Sequence, residues 1–398
     1  MMTPLSLLRT HKPSTALILA MLSISALLLP TIACQGRTKD SQRLGTQSTG
    51  LSKLERIALI SPTTARELGY RIMWQMPGDG HELQQIRPDN DAIFLLDDKN
   101  YLTRINRKTG QRLWQKEVLE PATRVLGLNY VPSLGFVHVM TQGDIYVLNA
   151  GTGGVLRRDE LVAIAATPGT TAGPFLLYGA RSGRLVWYGA KVGYIWKSYR
   201  VSSHMHLKPQ LHKGKVVAVG SGGVLMCLDA AKAIQLWSVK MLDEIAVPPA
   251  VTDTTIFAAS LDQHLRAFDL QNGSVLWSKI FETPLRNPPI VIEGQLFITI
   301  PGLGLVSYDA QPVGKGVGKE LWNSKDVSGN VIGQRGGNAL VWDDQARVLT
   351  LVERAHGTVI DKFELPNITK LMMDELVNGT IYATNREGAV IRLSPRSE

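Results

Sequence analysis

A chain of 398 residues with 44% hydrophobic content, 37 glycines and 20 prolines is too apolar for disorder and long enough to bury a large core. Its net charge of +9 is spread thinly, and the densest basic stretch, Lys208 to Lys215, holds only three lysines, so nucleic-acid binding is not expected. Two cysteines, Cys34 and Cys227, are too few for a disulfide framework.

Arg9, His11 and Lys12 precede an apolar run from Ala16 to Leu29, and Pro30-Thr31-Ile32-Ala33-Cys34 then leads into polar sequence. A basic segment, an apolar segment and a small residue before a cut predict a secretory signal over residues 1–33. The boundary resembles a bacterial lipobox, which implies that Cys34 is diacylated and becomes the new N-terminus; Thr31 departs from the usual leucine. Gln35 in place of aspartate favours outer-membrane sorting where that rule applies. The alternative is an uncleaved single-span anchor, for which the run is short. Either way the body lies outside the cytoplasm, in the cell envelope. With Cys34 used, Cys227 stands alone in the apolar run Val224 to Leu228 and reads as a buried structural thiol.

Residues 34–70 read as the lipidated cysteine and its tether, Ser/Thr/Gln/Gly-rich as far as Gly50, with one or two helical turns before Tyr70 where Ser61 and Pro62 form an N-cap and N1 pair. From residue 71 to 398 the chain repeats. Ala267-Phe268-Asp269-Leu270-Gln271-Asn272-Gly273-Ser274-Val275-Leu276-Trp277 reads as strand, turn, strand and closing tryptophan, and degraded copies recur about every 40 residues. Trp74, Trp114, Trp196, Trp237, Trp277 and Trp322 mark the copies; those ending at Arg157 and Asp361 lack the tryptophan. Asp269 is expected to accept backbone hydrogen bonds within the turn, and Gly273 to supply a positive φ. Two apolar strands precede each turn, and proline-marked segments such as Val247 to Val251 add a further short strand. Four strands per period predict an all-β, eight-bladed β-propeller of four-stranded antiparallel blades, the last closed by the N-terminal strand Arg71 to Met76. Closure removes open sheet edges.

The pattern Ala-x-Asp-x-x-x-Gly-x-x-x-Trp, met at every defined position from Ala267 to Trp277, resembles the PQQ-type propeller repeat, and the resemblance extends from about Arg71 to Ser394. With a lipoprotein signal and eight blades, the chain is similar to the propeller lipoproteins of the outer-membrane β-barrel assembly machinery. That resemblance implies a non-enzymatic scaffold on the periplasmic face of the outer membrane, monomeric by itself, that binds a BamA-like subunit. In that family the contact uses a Leu-x-Leu-Arg loop after a blade tryptophan and acidic residues in a neighbouring loop. Met205, Leu207 and Lys208 stand where the first falls and Asp243 and Glu244 where the second falls, a conservative match in loops that look shorter. The alternatives are a PQQ-repeat binding lipoprotein for a small ligand or surface glycan, or a quinoprotein-type redox enzyme.

The enzyme would need a quinone, a Ca²⁺ site of carboxylates and an asparagine, and commonly a disulfide of adjacent cysteines; the cysteine count excludes the disulfide, and no acidic cluster recurs at one blade position. Asp97-Asp98 and Asp343-Asp344 fall at hairpin turns, where carboxylates cap amides. His204, His206 and His212 form the one histidine cluster, but no cysteine or carboxylate completes a metal site, so a solvated loop is expected. No catalytic residue, metal or cofactor is assigned. Functional residues are expected where the copies differ: Met205 to Lys208, the glycine-rich insert Gln311 to Lys319, and the two blades without the tryptophan.

Overall fold

Largely apolar runs form strands buried on both faces: Thr255–Ala259 has no exposed residue, and its partner His264–Asp269, which carries its polar residues at partly buried positions, is nearly as enclosed. The outermost strand of the same sheet, Val275–Ile280, alternates between buried and exposed positions, as a strand with one wet face must. This gradient recurs in a computed structural model that describes residues 58–311 and 318–396. Cys34, residues 1–33, most of the tether and six residues of the glycine-rich insert lie outside the described residues.

The described chain forms eight four-stranded antiparallel sheets. Blades 1 to 7 span residues 83–117, 127–160, 170–200, 210–240, 250–280, 290–324 and 330–364, each a plain up-and-down meander. Blade 8 takes three strands from residues 370–395, and its outermost strand is Tyr70–Met76, paired antiparallel from Tyr70 against Pro395 to Met76 against Val390. The ring is thus closed by non-local pairing, as the sequence predicted. The first strands of neighbouring blades touch one another, so they surround the central channel while the fourth strands form the rim. A helix over Pro62–Glu67 precedes the closing strand, capped by the Ser61 hydroxyl, which accepts from the Thr64 amide. Ile60, Ala65 and Leu68 bury that turn in the core between blades 7 and 8.

The core is a set of clusters, each shared by two adjacent blades, and the recurrent tryptophan sits at the seam. Trp237 lies in blade 4, and its indole packs where a Cβ on Gly273 of blade 5 would come to 2.6 Å. Its Nε1 donates to the Leu270 carbonyl at 3.0 Å. Gly273 has φ +74, so two independent demands exclude a side chain there. Asp269 organises the same turn: its Oδ1 accepts from the amides of Gln271 and Asn272 at 2.7 and 3.0 Å. Trp74, Trp114 and Trp322 repeat the arrangement, donating to the carbonyls of Arg107, Ala150 and Arg354 in the next blade. Trp277 packs its indole against Gly318 of blade 6.

Blade 3 departs from the sequence reading. Trp237 pairs across its sheet with Cys227, and Trp277 with Ala267, but in blade 3 the matching position, opposite Trp187, is Lys197. Trp196 is therefore one residue out of register and faces the other side of its strand, 41% exposed and stacked on Phe175 with 4.8 Å between ring centroids. The seam is filled instead by Trp187, fully buried on the third strand, whose Nε1 donates to the Ala230 carbonyl at 2.8 Å. Cys227 is buried, and burial pushes its thiol up to about 11.

Candidate functional site

The loops that carry the chain from one blade's outer strand to the next blade's inner strand all emerge on one face of the ring. Those after blades 2, 3 and 4 follow a common 40-residue frame. Ala165, Met205 and Ile245 share one position, with Leu285 a period later, and all four are fully buried. Met205 forms an antiparallel bridge to Gly220 as Ala165 does to Ala180, and it packs into the core between blades 3 and 4. Met205 is thus a repeat residue of the seam, inaccessible to a partner, which corrects its expected role in an inserting loop. The period itself carries the signal: an apolar residue recurs at 165, 205, 245 and 285.

Leu207 is half-buried against the core between blades 4 and 5. Lys208 lies at the channel wall, beside Arg87 in a cavity formed by the first strands. Asp243 is exposed and caps the amide of Glu244 at 2.7 Å. Glu244 is half-buried and approaches Nδ1 of His206 at 3.4 Å, while His206 Nε2 meets the Ile245 carbonyl at 3.0 Å, so the loops after blades 3 and 4 are tied together. His212 pairs with Asp253 at 2.8 Å, away from this contact. Among the described residues no group of three or more His, Cys, Asp or Glu side chains stands close enough to hold a metal ion. Asp97 and Asp343 cap turn amides, as expected of carboxylates there.

The loop tips show what the sequence reading passed over. Val162 and Leu242, at one position of the frame, are 94% and 87% exposed, and Ile164 is half-exposed beside Val162. Leu242 adjoins Asp243 and Glu244, so an apolar side chain and two carboxylates stand together at the tip of one loop. The loop between them carries Ser202 at that position. Isolated exposed apolar residues are ordinary, but a repeat position that elsewhere holds Ser202 and Glu282 needs no apolar group for folding.

Eight four-stranded blades, tryptophan-locked seams and a ring closed by the first strand define an eight-bladed propeller of PQQ-type repeats. A family model described as outer membrane protein assembly factor BamB matches residues 70–192 and 176–397, and the chain belongs to that family. Relatives of the same description are distant: that of Yersinia pestis is 22% identical over 63% of this chain and 68% of its own length. That of Burkholderia pseudomallei (strain K96243) is 21% identical over 77% of this chain and 82% of its own. Among solved structures, BamB from Moraxella catarrhalis superposes with a TM-score of 0.65 at 18% identity, covering 83% of this chain and 98% of that one. The computationally designed protein Ika8 superposes equally well, with a TM-score of 0.65 at 13% identity over 81% of this chain and 99% of that one. The architecture by itself therefore specifies no function.

Proposed function

We propose that this protein is a lipid-anchored, non-enzymatic scaffold on the periplasmic face of the outer membrane, held through Cys34, that assists β-barrel protein assembly by binding a BamA-like subunit. The family supports the general role, and the observation that carries the docking site is the tip of the loop after blade 4. There Leu242 is almost wholly exposed beside Asp243 and Glu244, at a repeat position where burial does not require it. An apolar anchor flanked by carboxylates suits a partner surface with an apolar pocket and a basic rim. Leu207 buttresses this loop from the core side, and Val162 with Ile164 extends the apolar contact across the ring face.

Co-purification of the tagged protein from detergent-solubilised membranes tests this. The pair Leu242→Asp with Asp243→Lys is expected to lose the BamA-like subunit while its thermal melt stays within the range of ordinary surface substitutions. Retention of that subunit at wild-type yield would overturn the assignment. Cys34→Ser is expected to release the protein from the membrane fraction.

A further inference from the structure

The first strands of blades 1, 2 and 8, with the residues leading into the first strands of blades 3 and 4, enclose a cavity of about 480 Å³ on the channel wall. Blades 4 and 8 lie on opposite sides of an eight-membered ring, so the cavity reaches across the channel. Its charged residues are Arg87, Lys208 and Lys370, and no acidic residue lines it. Lys370 is partly spent: its ammonium donates to the carbonyls of Leu83 and Gln84. Among the described residues neither Arg87 nor Lys208 has a side-chain hydrogen bond or ion pair. The remaining wall is largely apolar, with Ile86, Leu128 and Met372 prominent.

The repeat makes Lys208 more telling. At its position in the 40-residue frame blades 3, 5 and 6 carry Pro168, Pro248 and Pro288, and among these four blades only blade 4 has a cation in place of the proline. Lys208 is exposed to the channel, and partial desolvation by the surrounding wall together with the Arg87 guanidinium lowers its pKa to about 8. A fold that places two unneutralised cations together on a partly apolar wall loses stability unless an anion joins them.

We propose that this cavity binds a small amphiphilic organic anion, a phosphate monoester whose dianionic head sits between Arg87 and Lys208 and whose apolar group lies against Ile86, Leu128 and Met372. Two cations lining one cavity match a doubly charged oxyanion, for which guanidinium offers paired donors and ammonium a point charge. The apolar wall and the volume exceed what a bare inorganic ion would use. This inference is independent of the docking surface on the interblade loops.

The test is isothermal titration of the detergent-purified full chain at constant ionic strength, with phenyl phosphate as the probe. Inorganic phosphate serves as the head alone, and benzoate as the same ring with one charge. Saturable binding of phenyl phosphate is expected, weaker by about tenfold or more for inorganic phosphate and for benzoate. Lys208→Met and Arg87→Met are each expected to weaken phenyl phosphate by about tenfold or more, the value of one charge-assisted hydrogen bond. Lys208→Arg should retain binding within about threefold, and the surface variant Lys191→Met should match wild type. A circular-dichroism melt confirms that each variant is folded. Absence of saturable phenyl phosphate binding overturns the site, as does unchanged affinity in folded Lys208→Met. Inorganic phosphate binding as tightly as phenyl phosphate overturns the apolar subsite, and benzoate binding as tightly overturns the dianion.

Discussion

The seam between blades 4 and 5 and the seam between blades 3 and 4 solve one packing problem differently. In the first, Trp237 lies on Gly273 and hydrogen-bonds the Leu270 carbonyl. In the second, Lys197 occupies the tryptophan position and its ammonium meets the Lys232 carbonyl at 3.0 Å, while Trp187 supplies the buried indole from the adjoining strand. The turn residue matching Gly273 is then Ala233, buried in the same cluster as Trp187 and with φ +52. The seam between blades 2 and 3 uses a third solution. Arg157, at the tryptophan position opposite Val147, donates to the carbonyls of Ala190 and Lys191 and is held by Asp159 at 2.8 Å. At most seams a donor meets the turn carbonyl and the gap is filled, and tryptophan is the commonest way to provide both at once; Trp277 fills its gap, but among the described residues its Nε1 has no hydrogen-bond partner.

Blade 7 explains the other missing tryptophan. Asp361 holds the position opposite Leu351, but blade 8 takes its outer strand from Tyr70–Met76, so no turn joins its last two strands. A tryptophan at Asp361 would have no turn to dock on. Arg335 and Tyr70 work at this seam instead, the guanidinium donating to the carbonyls of Gly69 and Arg396 and the phenol to that of Gly379. On the far side of blade 8, Arg107 of blade 1 pairs with Asp374 at 2.5 Å and donates to the Tyr382 hydroxyl at 3.1 Å.

Breaking the two kinds of seam should separate them. Trp237→Ala and Trp187→Ala are each expected to cost about 3–5 kcal/mol in denaturant unfolding, and Trp277→Ala the same, as buried aromatics truncated in a core. Lys197→Ala should cost under about 1 kcal/mol, because an exposed ammonium shares its seam with an intact indole. A loss at Lys197 equal to that at Trp187 would mean that the lysine, not the displaced tryptophan, holds blades 3 and 4 together. Gly273→Ala should cost about 1–3 kcal/mol through its positive φ and its collision with Trp237. Ala233→Gly should stay within about 1 kcal/mol of zero, since relief of the left-handed backbone offsets the lost buried methyl.

A smaller effect distinguishes the channel from the rim. The folded protein holds the Lys208 proton less tightly than the unfolded chain, with a pKa of about 8 against an ordinary 10.5. Below pH 8 the wild type therefore carries the full penalty and should melt below Lys208→Met. From pH 8 towards 10.5 the unfolded state binds the proton that the folded state has released, so wild-type stability rises relative to the variant and the gap closes. Parallel melting curves across that range would show that the ammonium is freely solvated. The smallest effect is expected at Trp196: Trp196→Ala should change stability by under about 1 kcal/mol, since its ring lies on the exposed face, stacked on Phe175 with the Lys197 ammonium over it.

The fold was legible in the sequence because a repeat writes its own alignment. Strand, Asx turn, glycine and tryptophan recur at one spacing, and a propeller is the closed solution for four such strands per period. The pairing of Tyr70–Met76 with Val390–Pro395 followed from the ends of the repeat array, a first strand without a hairpin and a last hairpin without an outer strand. The same reading failed where a single-residue offset decides the face. Trp196 and Lys197 are equally compatible with a period near 40, and only the pairing of Lys197 with Trp187 assigns the seam position. Met205 was legible in principle, as one of an apolar series with Ala165, Ile245 and Leu285, but beside Leu207 and Lys208 it looked like part of a recognition pattern.

Sequence alone determined that the chain is a ring of eight similar blades and which residues make the turns, because those features depend on local hydrogen bonds and on short-range periodicity. Only the tertiary structure decided which side chain fills each seam, which loop tips are exposed, and that Lys208 lines a channel-wall cavity together with Arg87. Those outcomes depend on residues brought together from different blades: Arg87 and Lys208 lie three blades apart along the chain and line one cavity because the ring arranges its blades around one axis.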